Sequence, residues 1–203
     1  MDIDHIAPSA TGQPTDGTSP VILLLNRGDQ LTQAFQKVYN DSITHVQTLK
    51  SAEQQCVNLA NLPARNSLAS VTVQYPSMRE RTMATLQQTV EEAQAGIRTS
   101  LDSLERILDE LSQLLFSVDV YLADPKLVGS TGFNPTSALQ HLSALFSAHQ
   151  AELLSKRELF SSYNCEEIGV DELLSRWRVC DELKGLNKET MDDLADVMGT
   201  WST

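Results

Sequence analysis

The chain is short of the residues that build sheets, disulfide frameworks and membrane spans. Aromatic side chains make up 5% of its 203 residues, and it has only 9 glycines and 7 prolines. A sandwich or barrel needs aromatic and β-branched strands broken by frequent turns, which this composition does not offer. Its three cysteines, Cys56, Cys165 and Cys180, form no Cys-x-x-Cys pair. An odd number of cysteines without a secretion signal suits unpaired thiols in a reducing compartment. The apolar run Val21 to Leu25 falls far short of the roughly 20 residues that cross a bilayer, so no membrane partner is expected. Positive charge is scarce as well. The net charge is -12, residues 1–20 hold three Asp and no Lys or Arg, and residues 165–203 hold ten acidic against four basic side chains. Both ends would repel a phosphate backbone, which argues against free nucleic acid as a direct partner. The expected location is the cytoplasm and nucleus.

What the chain does have is Leu, Ala, Gln, Glu and Ser in helical order. Residues 1–20 carry almost no apolar side chains to offset the entropy of ordering them and are expected to be a disordered acidic tail. Val21 to Leu25 reads as a short extended or helical lead-in before Gly28, with Asp29 available to cap the helix that follows. From there Leu31, Phe35, Val38, Ser42, His45, Leu49, Ala52, Cys56 and Leu59 recur in steps of four and three, a heptad seam with two polar members. Pro63 stops this helix near Leu62.

The second helix is expected over 76–122, with a seam from Leu86 through Val90, Ala93, Ile97, Leu101, Leu104, Leu108, Leu111, Leu115 and Val118 to Leu122. It would be roughly 70 Å long, too long for the first helix alone to cover. Asp124-Pro125 ends it, and residues 129–135 read as a loop closed by Thr136 or Ser137. A third helix then carries Leu139, Leu142, Phe146, His149, Leu153, Lys156, Phe160 and Tyr163. A fourth is expected over 171–184, with Leu173, Leu174, Trp177 and Cys180 on one side. A short fifth follows Asn187 and carries Met191, Leu194, Val197, Met198 and Trp201. The expected fold is all-α: an elongated antiparallel bundle of long coiled-coil-like helices over 21–164, with a small helical cap over 165–203.

Catalytic signatures fail on spacing. Gly129-Ser-Thr-Gly132 lacks the Gly-Lys-Ser/Thr that would contact phosphates. A di-metal bundle site needs two Glu-x-x-His pairs, and the nearest approach is the reversed His149-Gln-Ala-Glu152. The cysteines lie at or near seam positions with no activating base. No enzyme activity, cofactor or metal is expected, and a helical-bundle metalloenzyme is the weakest of the readings considered.

That leaves protein contacts. Lys156 falls on the seam phase of the third helix with Arg157 beside it. Either their stems lie on the core with the heads in water, or the heads meet a partner's carboxylate. Trp177, in Leu-Leu-Ser-Arg-Trp-Arg, is open to the same choice between core anchor and binding hot spot.

Four segments give the chain a likeness. They are Gln33-Ala-Phe35-Gln-Lys-Val38, Tyr75-Pro-Ser-Met-Arg79-Glu-Arg81, Ser155-Lys156-Arg157-Glu-Leu159-Phe160-Ser-Ser162 and Leu173-Leu-Ser-Arg-Trp177. In these, and in the order of its elements over about 30–203, the chain resembles the AIRIM family of helical ribosome-maturation factors, related to CINP. The resemblance implies a non-catalytic adaptor that pairs with a CINP-like helical protein and docks on an AAA+ ATPase hexamer. It would reach pre-60S particles indirectly, during cytoplasmic maturation of the large ribosomal subunit. The positions it carries over as partner-binding candidates are Lys156, Arg157, Leu159, Phe160 and Trp177. The chain departs from the family in a longer polar N-terminus, the loop at 129–135 and a more acidic C-terminal part. The heptads alone also suit a structural or tethering subunit of a kinetochore or vesicle-tether assembly.

Overall fold

A computed structural model describes residues 20–61, 75, 77–123 and 135–180. Residues 1–19 of the expected acidic tail, most of the connector after Pro63, residues 129–134 of the expected loop and the fifth helix lie outside the described residues, while Pro20 and Pro135, placed in tail and loop by the sequence, each open a helix. Four helices follow in chain order: α1 (Pro20–Asn61), α2 (Met78–Leu122), α3 (Pro135–Asn164) and α4 (Val170–Trp177). There is no strand among the described residues. The fold is an all-α bundle, as the periodicity requires. α1 and α3 both begin on a proline, whose fixed φ suits a first helical turn and whose missing N–H costs nothing there.

α1 and α2 lie antiparallel along most of their length. Arg27 near the start of α1 pairs with Glu110 of α2. At the far end, Arg79 of α2 donates to the carbonyl oxygens of Leu59 and Ala60 at 2.9 and 2.8 Å. Those carbonyls belong to the last turn of α1, where no helical N–H remains to meet them, so Arg79 caps the helix. α3 lies in the groove between the two, parallel to α1. Phe35 of α1 meets His149 of α3 edge to face at 4.5 Å, and Arg157 of α3 pairs with Glu105 of α2.

Gly28 departs from expectation. The helix runs through it without a break, and Asp29 bonds Gln33 one turn on instead of capping. A Cβ at Gly28 would come within 2.6 Å of Leu142 Cδ2. The glycine is therefore a close crossing of α1 with α3, where the absence of a side chain admits Leu142. Gly96 does the same for α2, since a Cβ there would lie 2.5 Å from the ring of His45.

One continuous core includes Leu31, Phe35 and Leu49 of α1, Ile97, Leu104 and Leu111 of α2, Leu142 and Leu153 of α3, and Leu173 and Trp177 of α4. The seams read from sequence supply much of it. Tyr39 and Val46 of α1, Leu114 of α2 and Leu145 of α3 are also buried, because a helix touching two or three neighbours buries a wider stripe than a two-position seam.

Candidate interaction sites

The five candidate residues do not form a surface. Lys156 is 2% exposed, Trp177 is wholly buried, and Leu159 and Phe160 are buried with them. Both expectations for Lys156 set its head at the surface; instead it is turned inward onto the end of α4. Its Nζ donates to the carbonyl oxygens of Val179 at 2.6 Å and Arg176 at 3.2 Å and lies 5.6 Å from the centre of the Tyr39 ring. The ammonium is thus the C-terminal cap of α4, where unpaired carbonyls and the negative end of the helix dipole favour a cation. α4 stops at Trp177, short of the expected span, of which 181–184 lie outside the described residues, and the ammonium takes one carbonyl of its last turn, Arg176, and one just past it, Val179.

The charge of Lys156 is balanced by Glu152, one turn earlier and equally buried, at 2.9 Å. Glu152 Oε1 makes this contact as an ion pair and has no hydrogen-bond donor among the described residues. Trp177 closes the cluster. Its Nε1 donates to Ser42 Oγ at 2.9 Å, its carbonyl accepts from the Tyr39 hydroxyl, and Phe160 meets its ring edge to face at 6.5 Å. Ser42 donates in turn to the Tyr39 carbonyl at 2.6 Å. Burial first, then the neighbouring Cys180 thiol and Glu152 carboxylate, push the Tyr39 hydroxyl well above the ordinary phenol range, so it remains a donor. Arg157 points the other way, onto Glu105 at 3.0 and 2.7 Å. That pairing holds the exposed Glu105 carboxyl below its usual range.

His149 is buried, with Nδ1 2.7 Å from the Leu145 carbonyl oxygen. Removal from water lowers its pKa, against a smaller opposite effect of that carbonyl. Among the described residues, no group of three or more His, Cys, Asp and Glu side chains is placed to hold a metal ion, and no helix is long and apolar enough to cross a membrane.

A different region is open. α3 ends at Asn164, with the Tyr163 hydroxyl bonded to Glu53 of α1 and facing Gln94 of α2. Burial, then Glu53, pushes that hydroxyl up to about 12. Beyond this level α1 and α2 run on as a two-helix stem, residues 53–61 and 78–92, capped by Arg79. No described residue of the stem is buried: Cys56, Leu59, Met83, Leu86 and Val90 are half-buried, and Val57 and Met78 are exposed. At the opposite end of the rod Leu23 and Val120 are exposed, and Phe116 is 70% exposed. Comparison of the chain with family models, with curated proteins and with solved structures finds no match.

Proposed function

We propose that the chain is a non-catalytic adaptor, a helical rod that holds other proteins at its ends. The reading is carried by where the large exposed apolar side chains lie. Leu23, Phe116 and Val120 mark one end, and Val57, Tyr75 and Met78 mark the other, while Leu154 and Val179 lie between. At 1.5 Å per residue, the stretch of α2 from Met78 to Phe116 spans roughly 55 Å. Exposed apolar side chains gathered at the two ends of a rod suit bridging better than enclosing a ligand.

The resemblance to the AIRIM family supplies the partners of this proposal: a CINP-like helical protein and an AAA+ ATPase hexamer, acting on the large ribosomal precursor. Any nucleotide chemistry would then belong to the ATPase. Affinity purification of the full chain from native cells tests it. Stoichiometric recovery of an AAA+ ATPase with a CINP-like protein is expected, and recovery of neither overturns it. Recovery of a different helical assembly would move the chain to the tethering reading.

A further inference from the structure

α4 is the shortest helix of the described bundle and the one least able to hold itself. It has 8 residues, and its N-cap Gly169 offers no side chain to the first turn. A helix of that length is not stable alone in water, so α4 exists because it is docked. It packs on α1 and α3, whereas α2 meets both of those directly. The turn leading to it is also strained. Glu167 N–H donates to the Ser162 carbonyl at 2.9 Å and Glu166 N–H to that of Tyr163 at 3.0 Å. That pair of bonds sets Glu166 at φ 60°, a left-handed position where glycine is the usual residue and a side chain is disfavoured.

The groove that α4 occupies differs from an ordinary core. Lys156, Tyr39 and Ser42 present polar atoms to it, each bonded to the last turn of α4 or just past it, and Glu152 Oε1 lies beside Lys156 with no hydrogen-bond donor among the described residues. Uncovering an apolar groove exposes only hydrocarbon. Uncovering this one returns an ammonium, a carboxylate and two hydroxyls to water and gives Glu152 the donor it lacks, so hydration offsets part of the cost. The groove is also selective. Phe160 takes a tryptophan ring edge to face, Ser42 takes the indole N–H, and Lys156 takes the carbonyl end of a helix. At the rim, Lys50 takes an acid of the first turn, Asp171, at 2.6 Å.

We propose that α4 is the resident occupant of a helix-binding groove, and that a helix of a partner protein with the same chemistry displaces it. That helix has an acidic first turn, a leucine pair and, in its last turn, a tryptophan followed by free carbonyls, as Asp171, Leu173, Leu174 and Trp177 supply in α4. A partner helix that is already formed brings these groups without the strained turn at Glu166 and without the cost of nucleating a helix as it docks. With α4 lifted, Lys156 and Phe160 line a surface that the closed rod does not have. The groove lies at mid-rod, so the inference does not depend on the apolar ends that carry the adaptor reading.

Two measurements on the full chain test it. In native-state hydrogen exchange, the amides of α4 should exchange through an opening at least tenfold more populated, and less dependent on denaturant, than the one that exposes the middle of α2 and α3. If α4 opens only together with those helices, the inference falls. The second measurement uses a fluorescein-labelled synthetic peptide of residues 165–180, read by anisotropy. Its binding to the wild-type chain should be weak, because the tethered α4 competes at high effective concentration. Trp177→Ala in the chain loosens the resident helix and leaves the groove's own side chains in place, so it should tighten peptide binding at least tenfold. Asp171→Lys, on the surface, should tighten it several-fold and serves if Trp177→Ala misfolds. Glu166→Gly relieves the turn and should weaken it several-fold. A charge swap reads the location: a chain with Lys50→Glu should prefer a peptide carrying Asp171→Lys to the unaltered peptide, the reverse of the wild-type order. No binding by either loosened chain, or binding indifferent to the swap, overturns the inference. So does a wild-type dimer in sedimentation velocity that the peptide splits, since the occupant is then the α4 of a second copy.

Discussion

The middle of the rod and its stem are made by the same two helices, yet they differ in almost every physical respect. In the middle, α3 and α4 complete the packing, and side chains such as Phe35, Leu49, Ile97, Leu104 and Trp177 are almost wholly buried. In the stem the same α1 and α2 present a seam that is half-buried throughout. The polar residues differ too. The middle buries an ammonium, a carboxylate, a hydroxyl network and an imidazole, whereas the stem keeps its Gln, Asn and Thr residues largely at the surface. Two amphipathic helices leave one flank of their shared seam open, and closing it takes a third helix or another molecule.

The largest effect should come from breaking the completed half. Lys156→Glu sets a second carboxylate beside Glu152 and against the carbonyls of Arg176 and Val179. It should cost about 3–5 kcal/mol, the range for a broken buried ion pair. Trp177→Ala leaves a cavity and strips Ser42 and Phe160 of their partner, for about 3–5 kcal/mol by the same scale as other large core truncations. Denaturant unfolding measures both. Lys156→Met alone should also destabilise, because it leaves Glu152 buried without a cation. Adding Glu152→Leu should recover much of that loss, as apolar replacement of a buried pair commonly does. If the double variant is no better than Lys156→Met, capping of α4 outweighs the ion pair.

These substitutions also show what was and was not legible in the sequence. The heptad steps gave the long helices and much of their core, because burial on one flank imposes a period that survives in the residues themselves. Gly28 read as a break since glycine is a poor helix former, but Leu142, more than a hundred residues away, is what the missing side chain accommodates. Lys156 falls on the apolar phase of its helix, which sets it apart but does not say what its head meets. Its role depends on carbonyls of Arg176 and Val179 that only the turn after α3 brings to it, and no local pattern announces that. Tyr39 lies one place from the seam residue Val38 and is buried because α4 covers the adjoining stripe. The stem was hidden for a related reason: its heptads match those of the middle, and only the end of α3 distinguishes the two.

A smaller effect is expected at the helix crossing nearest the stem. Gly96→Ala forces the His45 ring away from its place, at about 1–3 kcal/mol for overpacking. His45→Ala in the same chain should relieve it, and a double-mutant cycle by thermal melting checks the coupling. Smaller again is a pH effect in the middle. The folded His149 pKa lies below its ordinary value of 6.5, so between the two the unfolded chain binds the proton and the folded chain does not. The stability contributed by the neutral ring is complete above about pH 6.5 and is lost as pH falls towards the folded value. Melting temperature should therefore drop between neutral and mildly acidic pH, and His149→Leu should make that slope shallower. An unchanged slope would mean that Phe35 and the Leu145 carbonyl accept a charged ring without cost.

The smallest intrinsic effect belongs to the stem, and it sharpens the comparison most. Leu104→Ala in the middle should cost about 2–5 kcal/mol. Leu86→Ala removes a side chain already half in water, and should cost no more than about 1 kcal/mol on the area scale. Denaturant unfolding of the two variants measures that ranking, and the gap between them is the gap between a seam that α3 completes and one that only α1 and α2 share. Equal losses would mean that the two helices alone bury Leu86 as fully as the bundle buries Leu104.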